Sequence, residues 1–136
     1  MKTVLTLLVS LFFSAQAVSA IAVIVNKSSS AALDKEQISR IYLNLDKKLP
    51  DGKPIIPIAH SSSSALAGEF NQNVVGKSSS QYKAYWSKLI FTGKGTPPKE
   101  VDSDSEVIQL ISNNPDLIGY IDKSSVTDSV KVIGEF

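Results

Sequence analysis

The sequence predicts one α/β layered domain over residues 21–136. Three observations carry this. Apolar runs of strand length alternate with stretches whose apolar residues recur at helical spacing. The helical stretches open with side chains that cap helices. The first 20 of the 136 residues read as a removable leader, and what remains is long enough for one domain with a real core.

The leader is justified first. Lys2 supplies a positive start, and residues 4–13 are apolar except for Thr6 and Ser10. Val18-Ser19-Ala20 then places small or compact side chains where signal peptidase cuts, with Ala15-Gln16-Ala17 as a second possible cut. The apolar run is too short to cross about 30 Å of hydrocarbon, which takes about 20 helical residues. Residues 1–20 are therefore expected to be a signal peptide, with no membrane span after cleavage and a periplasmic or secreted product. The chain has no cysteine, which excludes disulfides and a lipid at the cleavage point. A cysteine-free exported chain fits a bacterial periplasm.

Residues 21–25 (IAVIV) form a continuous apolar run, as in a strand buried on both faces. A serine-rich loop leads to Asp34, the expected N-cap of a helix. Gln37 completes a capping box and Leu33 with Ile38 a hydrophobic staple. Asp51-Gly52 marks a turn, and residues 54–59 read as a second buried strand. Residues 60–64 lead into a helix with Leu66, Phe70 and Val74 on one side, ended by Gly76. Ser78 and Gln81 form another capping box. The helix after it has the strongest pattern in the chain, Tyr82, Tyr85, Trp86, Leu89 and Ile90, and reads first as a core stripe, with some rings only partly buried, rather than a sugar-stacking platform. Residues 93–100 are expected to be a loop. Ser103 and Glu106 cap a helix with Val107, Leu110 and Ile111 inside, and Asn114-Pro115 breaks it. Residues 117–121 and 130–133 complete the strands.

Charge excludes one class of function. Lys2 lies in the leader, so residues 21–136 carry equal numbers of basic and acidic side chains. Nucleic-acid binding, which shows a basic excess, is not expected. Arg40 is the only arginine and His60 the only histidine. The serine runs 28–30, 61–64 and 78–80 are short and read as loops and helix starts.

Several motifs fail on context. Gly76-Lys77-Ser78 ends like a phosphate-binding P-loop, but Asn71 stands where the first glycine belongs and a helix, not a strand, precedes it. Ser80-Gln81-Tyr82-Lys83 fits Ser-x-x-Lys without its partner motifs. His60 beside the serines lacks an adjacent acid to orient it as a catalytic base for Ser64. The reading is no catalytic residue and no enzyme. One histidine, no cysteine and scattered carboxylates predict no metal site and no cofactor. Asp102 and Asp104 are explained by the preference for negative charge at a helix start.

One feature has a physical rationale for a ligand. Residues 57–60 end a strand and Ser61, Ser62, Ser63 and Ser64 open a helix, where free backbone N–H groups and a partial positive charge suit an oxyanion. The same serines also serve simply as caps, which are commoner than ligand sites.

Taken jointly, the ordered pieces carry a resemblance. They are the strand at 21–25, the helix segment 33–43 (LDKEQISRIYL), the turn at Pro50-Asp51-Gly52, and Ile56-Pro57-Ile58-Ala59-His60 with its serine-rich helix start leading to Phe70. Trp86, Ile90-Phe91-Thr92-Gly93 and Leu117-Ile118-Gly119-Tyr120 follow. From residue 21 to about residue 121 this resembles the phosphate-binding proteins of ABC transporters, type-2 periplasmic binding proteins, and specifically their second lobe. The resemblance implies a three-layer α/β lobe and a phosphate site at the strand-to-helix junction. That site uses an arginine, an aspartate and a Ser-Gly-Thr step. The arginine position falls on His60, the aspartate on Ser62, the serine on Ser64, the glycine on Ala65 and the threonine on Leu66, so only the serine is kept. Losing the arginine removes a bidentate charged contact. At low pH a protonated histidine is expected to substitute for it in part. Losing the aspartate should blur selectivity between phosphate and sulfate. The first lobe, which closes on the ligand in full-length members, is missing.

The expectation is a non-enzymatic periplasmic protein that binds phosphate or a similar oxyanion through His60, Ser61, Ser62, Ser63 and Ser64. Binding is expected to be weak or partner-dependent, in ABC-type uptake with a transporter permease or another envelope protein. The alternative is a protein-interaction module derived from such a lobe, without a small ligand.

Overall fold

A computed structural model describes residues 20–136; the expected signal peptide, apart from Ala20, lies outside the described residues. Five strands form one mixed sheet: β1 (Ile21–Asn26), β2 (Ile56–His60), β3 (Lys99–Val101), β4 (Leu117–Asp122) and β5 (Val130–Glu135), in the order β3-β2-β4-β1-β5. β2 runs parallel to β3 and β4, whereas β1 runs antiparallel to both β4 and β5. The helices are α1 (Lys35–Tyr42), α2 (Ala65–Phe70), α3 (Ser79–Phe91) and α4 (Asp104–Asn113).

The period-two geometry of strands sorts their side chains onto two faces. Ile21, Val23, Val25, Ile118 and Tyr120 join one core with Ile38, Ile41 and Tyr42 of α1 and Phe70 of α2. Ala22, Ile24, Ile58, Leu117 and Ile121 join the other with Val107 and Ile111 of α4. The sheet thus lies between two helical layers, as the sequence predicts. At Gly119 the sheet and α4 touch so closely that a Cβ would stand 2.8 Å from Val107 Cγ1 and Ile111 Cδ1.

The local signals hold where hydrogen bonds make them. Asp34 accepts from the Gln37 N–H while Gln37 accepts from the Asp34 N–H, and Ser78 with Gln81 repeats the arrangement. Ser103 accepts from the Glu106 N–H, but the Glu106 carboxylate turns back to the Asp102 N–H instead.

Four expectations need correction. Residues 93–100 are not all loop, because Lys99–Val101 pairs in parallel with β2 as the edge strand β3. The second strand starts at Ile56, two residues late, because Pro54 pairs instead with Lys48 in an isolated bridge. The helix after the serines begins at Ala65, and after Phe70 it widens into a π turn over Asn71–Val75, closed by Gly76 at φ 77°. The stripe on α3 is not a core stripe: Trp86 alone is buried, Ile90 is 53% exposed and Phe91 92%. Tyr82 and Tyr85 are half-buried because their hydroxyls reach outward to the end of α1, donating to the Tyr42 and Leu43 carbonyls at 3.1 and 2.6 Å.

Candidate oxyanion site

The junction between β2 and α2 is built by three neighbours. The Ser61 N–H donates to the Val101 carbonyl of β3, and the Ser64 N–H closes a turn onto the Ser61 carbonyl, both at 2.9 Å. Ser64 Oγ accepts from the Ala67 N–H, so Ser64 is the cap of α2. Ser61 and Ser63 share a hydrogen bond between hydroxyls at 3.0 Å. The backbone N–H groups of Ser62, Ser63, Ala65 and Leu66 make no hydrogen bond to the described residues. The turn is therefore a small patch of unpaired donors beside a capped helix start.

His60 faces inward and is only 5% exposed. Its Nε2 lies 2.9 Å from Asp104 Oδ1 and 3.1 Å from the Tyr120 carbonyl, and both are acceptors, so Nε2 carries a proton and donates. This ring nitrogen is occupied within the protein. Sequence reasoning missed Asp104 as the partner of His60. It lies 44 positions away, and only the packing of the α4 start against the end of β2 joins them. Asp104 does stand in the first turn of α4, where negative charge is favoured, but its Oδ2 also accepts from Ser125 Oγ at 2.6 Å and from the Asp122 N–H at 3.2 Å. One carboxylate ties α4, β2 and β4 together.

Beneath the junction lies an aromatic group. Phe70 and Tyr120 stack at 3.8 Å between centroids, and Tyr42 meets Phe70 edge-on at 4.7 Å. The Tyr120 hydroxyl accepts from the His60 N–H, and the Tyr42 hydroxyl donates to the Ile58 carbonyl, so the rings hold the end of β2 as well as fill the core. Burial pushes the hydroxyls of Tyr42, Tyr82 and Tyr120 above their usual 10.0, Tyr82 to about 12. The Trp86 indole N–H makes no hydrogen bond, yet it lies near enough to the Tyr82 hydroxyl to offset part of that rise.

A cavity of about 500 Å³ opens between the serine turn, α3 and residues 97–100. His60, Ser62 and Ser63 line it; Ser61 and Ser64 do not. Its wall also holds Lys83 and Glu100, one charge of each sign. Arg40 is elsewhere, held by Asp46 through two contacts of 2.9 and 3.2 Å. Among the described residues no cluster of three or more His, Cys, Asp or Glu side chains is arranged to hold a metal ion. Among them, too, no helix is long and apolar enough to cross a membrane.

No family model matches the sequence, and no curated protein does. Solved structures do match. An ABC-type phosphate transport receptor from Vibrio cholerae superimposes with a TM-score of 0.65 at 21% identity, over 85% of this chain and 46% of the receptor. A Clostridium perfringens protein assigned as a phosphate ABC transporter substrate-binding protein, solved with phosphate bound, gives 0.67 at 23% identity over 85% and 45%. PstS from Borrelia burgdorferi gives 0.63 at 19% over 85% and 46%. The chain spans less than half the length of these structures. At such identities the likeness is one of fold, and the fold is that of one lobe of a phosphate-transport binding protein.

Proposed function

We propose that the protein is an exported, periplasmic oxyanion-binding protein, with phosphate as its first ligand, acting in or beside ABC-type uptake and without catalytic activity. The observation that carries this reading is the turn of residues 61–64. It offers unpaired N–H groups on Ser62 and Ser63, which line the cavity, and on Ala65 and Leu66 beside them, on a fold shared with phosphate-transport proteins. Neutral donors without arginine bind an anion less strongly than a charged bidentate clamp. One lobe also leaves part of the anion in water. Binding is therefore weak unless a partner completes the cleft. Isothermal titration of the protein with phosphate and sulfate tests this. Saturable heat with millimolar phosphate is the expected result; no heat and no thermal shift would refute it.

A second reading, an envelope docking module with no small ligand, is favoured by one observation: Phe91 and Ile90 stand exposed at the end of α3. Light scattering that finds a stable dimer, dispersed by Phe91→Ser, supports it. A tight phosphate complex of the monomer counts against it.

A further inference from the structure

Asn71 is the first residue of the π turn, 7% exposed, and lines the 500 Å³ cavity. Its backbone carbonyl accepts from Lys77, but its carboxamide makes no hydrogen bond to any described residue. The other buried polar side chains at the cavity are used within the protein, His60 on Asp104, Tyr42 on Ile58 and Tyr120 on His60, except the Trp86 indole N–H, which is sealed off without a partner. The Asn71 carboxamide is not sealed off in that way, so it opens on the cavity it lines. Nothing in the packing calls for a carboxamide there. A side chain such as leucine would fill the same position between Phe70 and Val74 with no polar group to satisfy.

The cavity itself is the second observation. Its volume lies in the range of about 300–1,000 Å³ typical of sites for small organic molecules. A bare tetrahedral oxyanion fills a small part of it. Its far side is walled by Tyr82, Trp86, Ile90, Pro97 and Pro98, and Lys83 is offset by Glu100. With no net positive charge on these walls, a naked anion gains little here, whereas an apolar body gains from every ring and proline it covers.

We propose that the cavity takes a phosphomonoester on a flat apolar body, its phosphate at Ser62 and Ser63, with the Asn71 carboxamide donating to phosphate oxygens. This rests on the oxyanion reading of the serine turn. Asn71 has the right chemistry, since its NH₂ gives two donors and asks for no counter-charge.

The test uses phenyl phosphate, inorganic phosphate and phenol, titrated by calorimetry and by the emission of Trp86, the only tryptophan. Phenyl phosphate is expected to bind at least about tenfold tighter than inorganic phosphate, since the ring is buried as well as the anion. Phenol is expected not to bind at the same concentrations. Asn71→Leu is expected to weaken phenyl phosphate by about tenfold or more while the melting temperature stays level or rises, because a charge-assisted bond to the ligand is lost and no bond within the described protein is. Inorganic phosphate binding as tightly as phenyl phosphate overturns the inference and leaves the oxyanion reading standing. Phenol binding as well as phenyl phosphate overturns the inference, and no binding by any probe overturns both. A folded Asn71→Leu with unchanged affinity, or with a sharply lowered melting temperature, removes Asn71 from the site. Should that variant not fold, Asn71→Asp keeps the shape and sets a carboxylate against the phosphate; undiminished binding there overturns the proposal as well.

Discussion

Replacing Asp104 by alanine should cost more stability than any other single charge removal in the described chain. The carboxylate accepts three hydrogen bonds: His60 Nε2–H at 2.9 Å, Ser125 Oγ at 2.6 Å and the Asp122 N–H at 3.2 Å. Bonds to a charged group are worth about 1.5–3 kcal/mol each. Three of them do not simply add, since they share one carboxylate, and its desolvation offsets part of the gain. The His60 and Asp104 side chains are 6% and 22% exposed, so solvent screens the pair only partly. Asp104→Ala also strips a buried donor of its charged partner, leaving only the Tyr120 carbonyl at 3.1 Å. A net loss of about 3 kcal/mol follows, with about half of that for Asp104→Asn, which keeps an acceptor oxygen. In a domain of this size that is on the order of 10 °C in melting temperature. Urea unfolding at neutral pH, read by Trp86 emission and by circular dichroism, measures it. A loss below about 1 kcal/mol for Asp104→Ala would refute the idea that this carboxylate clamps α4 to the sheet.

Two further outcomes follow from the packing. Burial raises the Tyr42, Tyr82 and Tyr120 hydroxyls above 10.0, so in strong alkali the folded protein holds protons that the unfolded chain has released. The contribution is whole below about pH 10 and is lost as pH rises from there through the raised folded values. Absorbance at alkaline pH should therefore show three of the four tyrosines ionising only as structure is lost. Reversible ionisation of all four near pH 10 with circular dichroism intact would contradict it. Gly119→Ala should destabilise by about 1–3 kcal/mol, since its Cβ meets the stiff Val107 side chain from a central strand. A urea midpoint within error of the parent would mean that α4 rides further from β4 than described.

What could be read from the sequence was whatever short-range chemistry decides. The capping boxes of α1 and α3 depend on side chains three residues apart, and both form. β1 reads as a buried strand because IAVIV is apolar throughout. β3 was hidden because Lys99-Glu100-Val101 has no strand pattern, and only the parallel edge of β2 makes it a strand. The α3 stripe misled for the opposite reason. Periodicity shows that a face is apolar but not whether anything covers it, and here Tyr82 and Tyr85 spend their hydroxyls on the end of α1. At the site, the serine turn was visible as a strand end before a helix start. The His60–Asp104 pair was not, because the chain between them passes through two helices and an edge strand. Asn71 did leave a trace, a carboxamide beside Phe70 and ahead of Val74 and Val75 on the buried side of a helix.

That trace bears on how the proposed site would select its ligand. A binding lobe that relies on arginine attracts any small oxyanion strongly and must reject the wrong ones by detail. Here the one histidine of the junction lends its Nε2–H to Asp104, and the sole arginine is bound to Asp46 outside the cavity. What remains at the turn is neutral: backbone N–H groups, two serine hydroxyls and one carboxamide. Neutral donors hold an anion weakly and orient it well. Most of the affinity then has to come from the aromatic and proline walls, which a bare phosphate does not touch. On the proposed phosphomonoester reading, the neutral junction and the apolar surface in the cavity thus act in the same direction, shifting selection from the anion to the body that carries it.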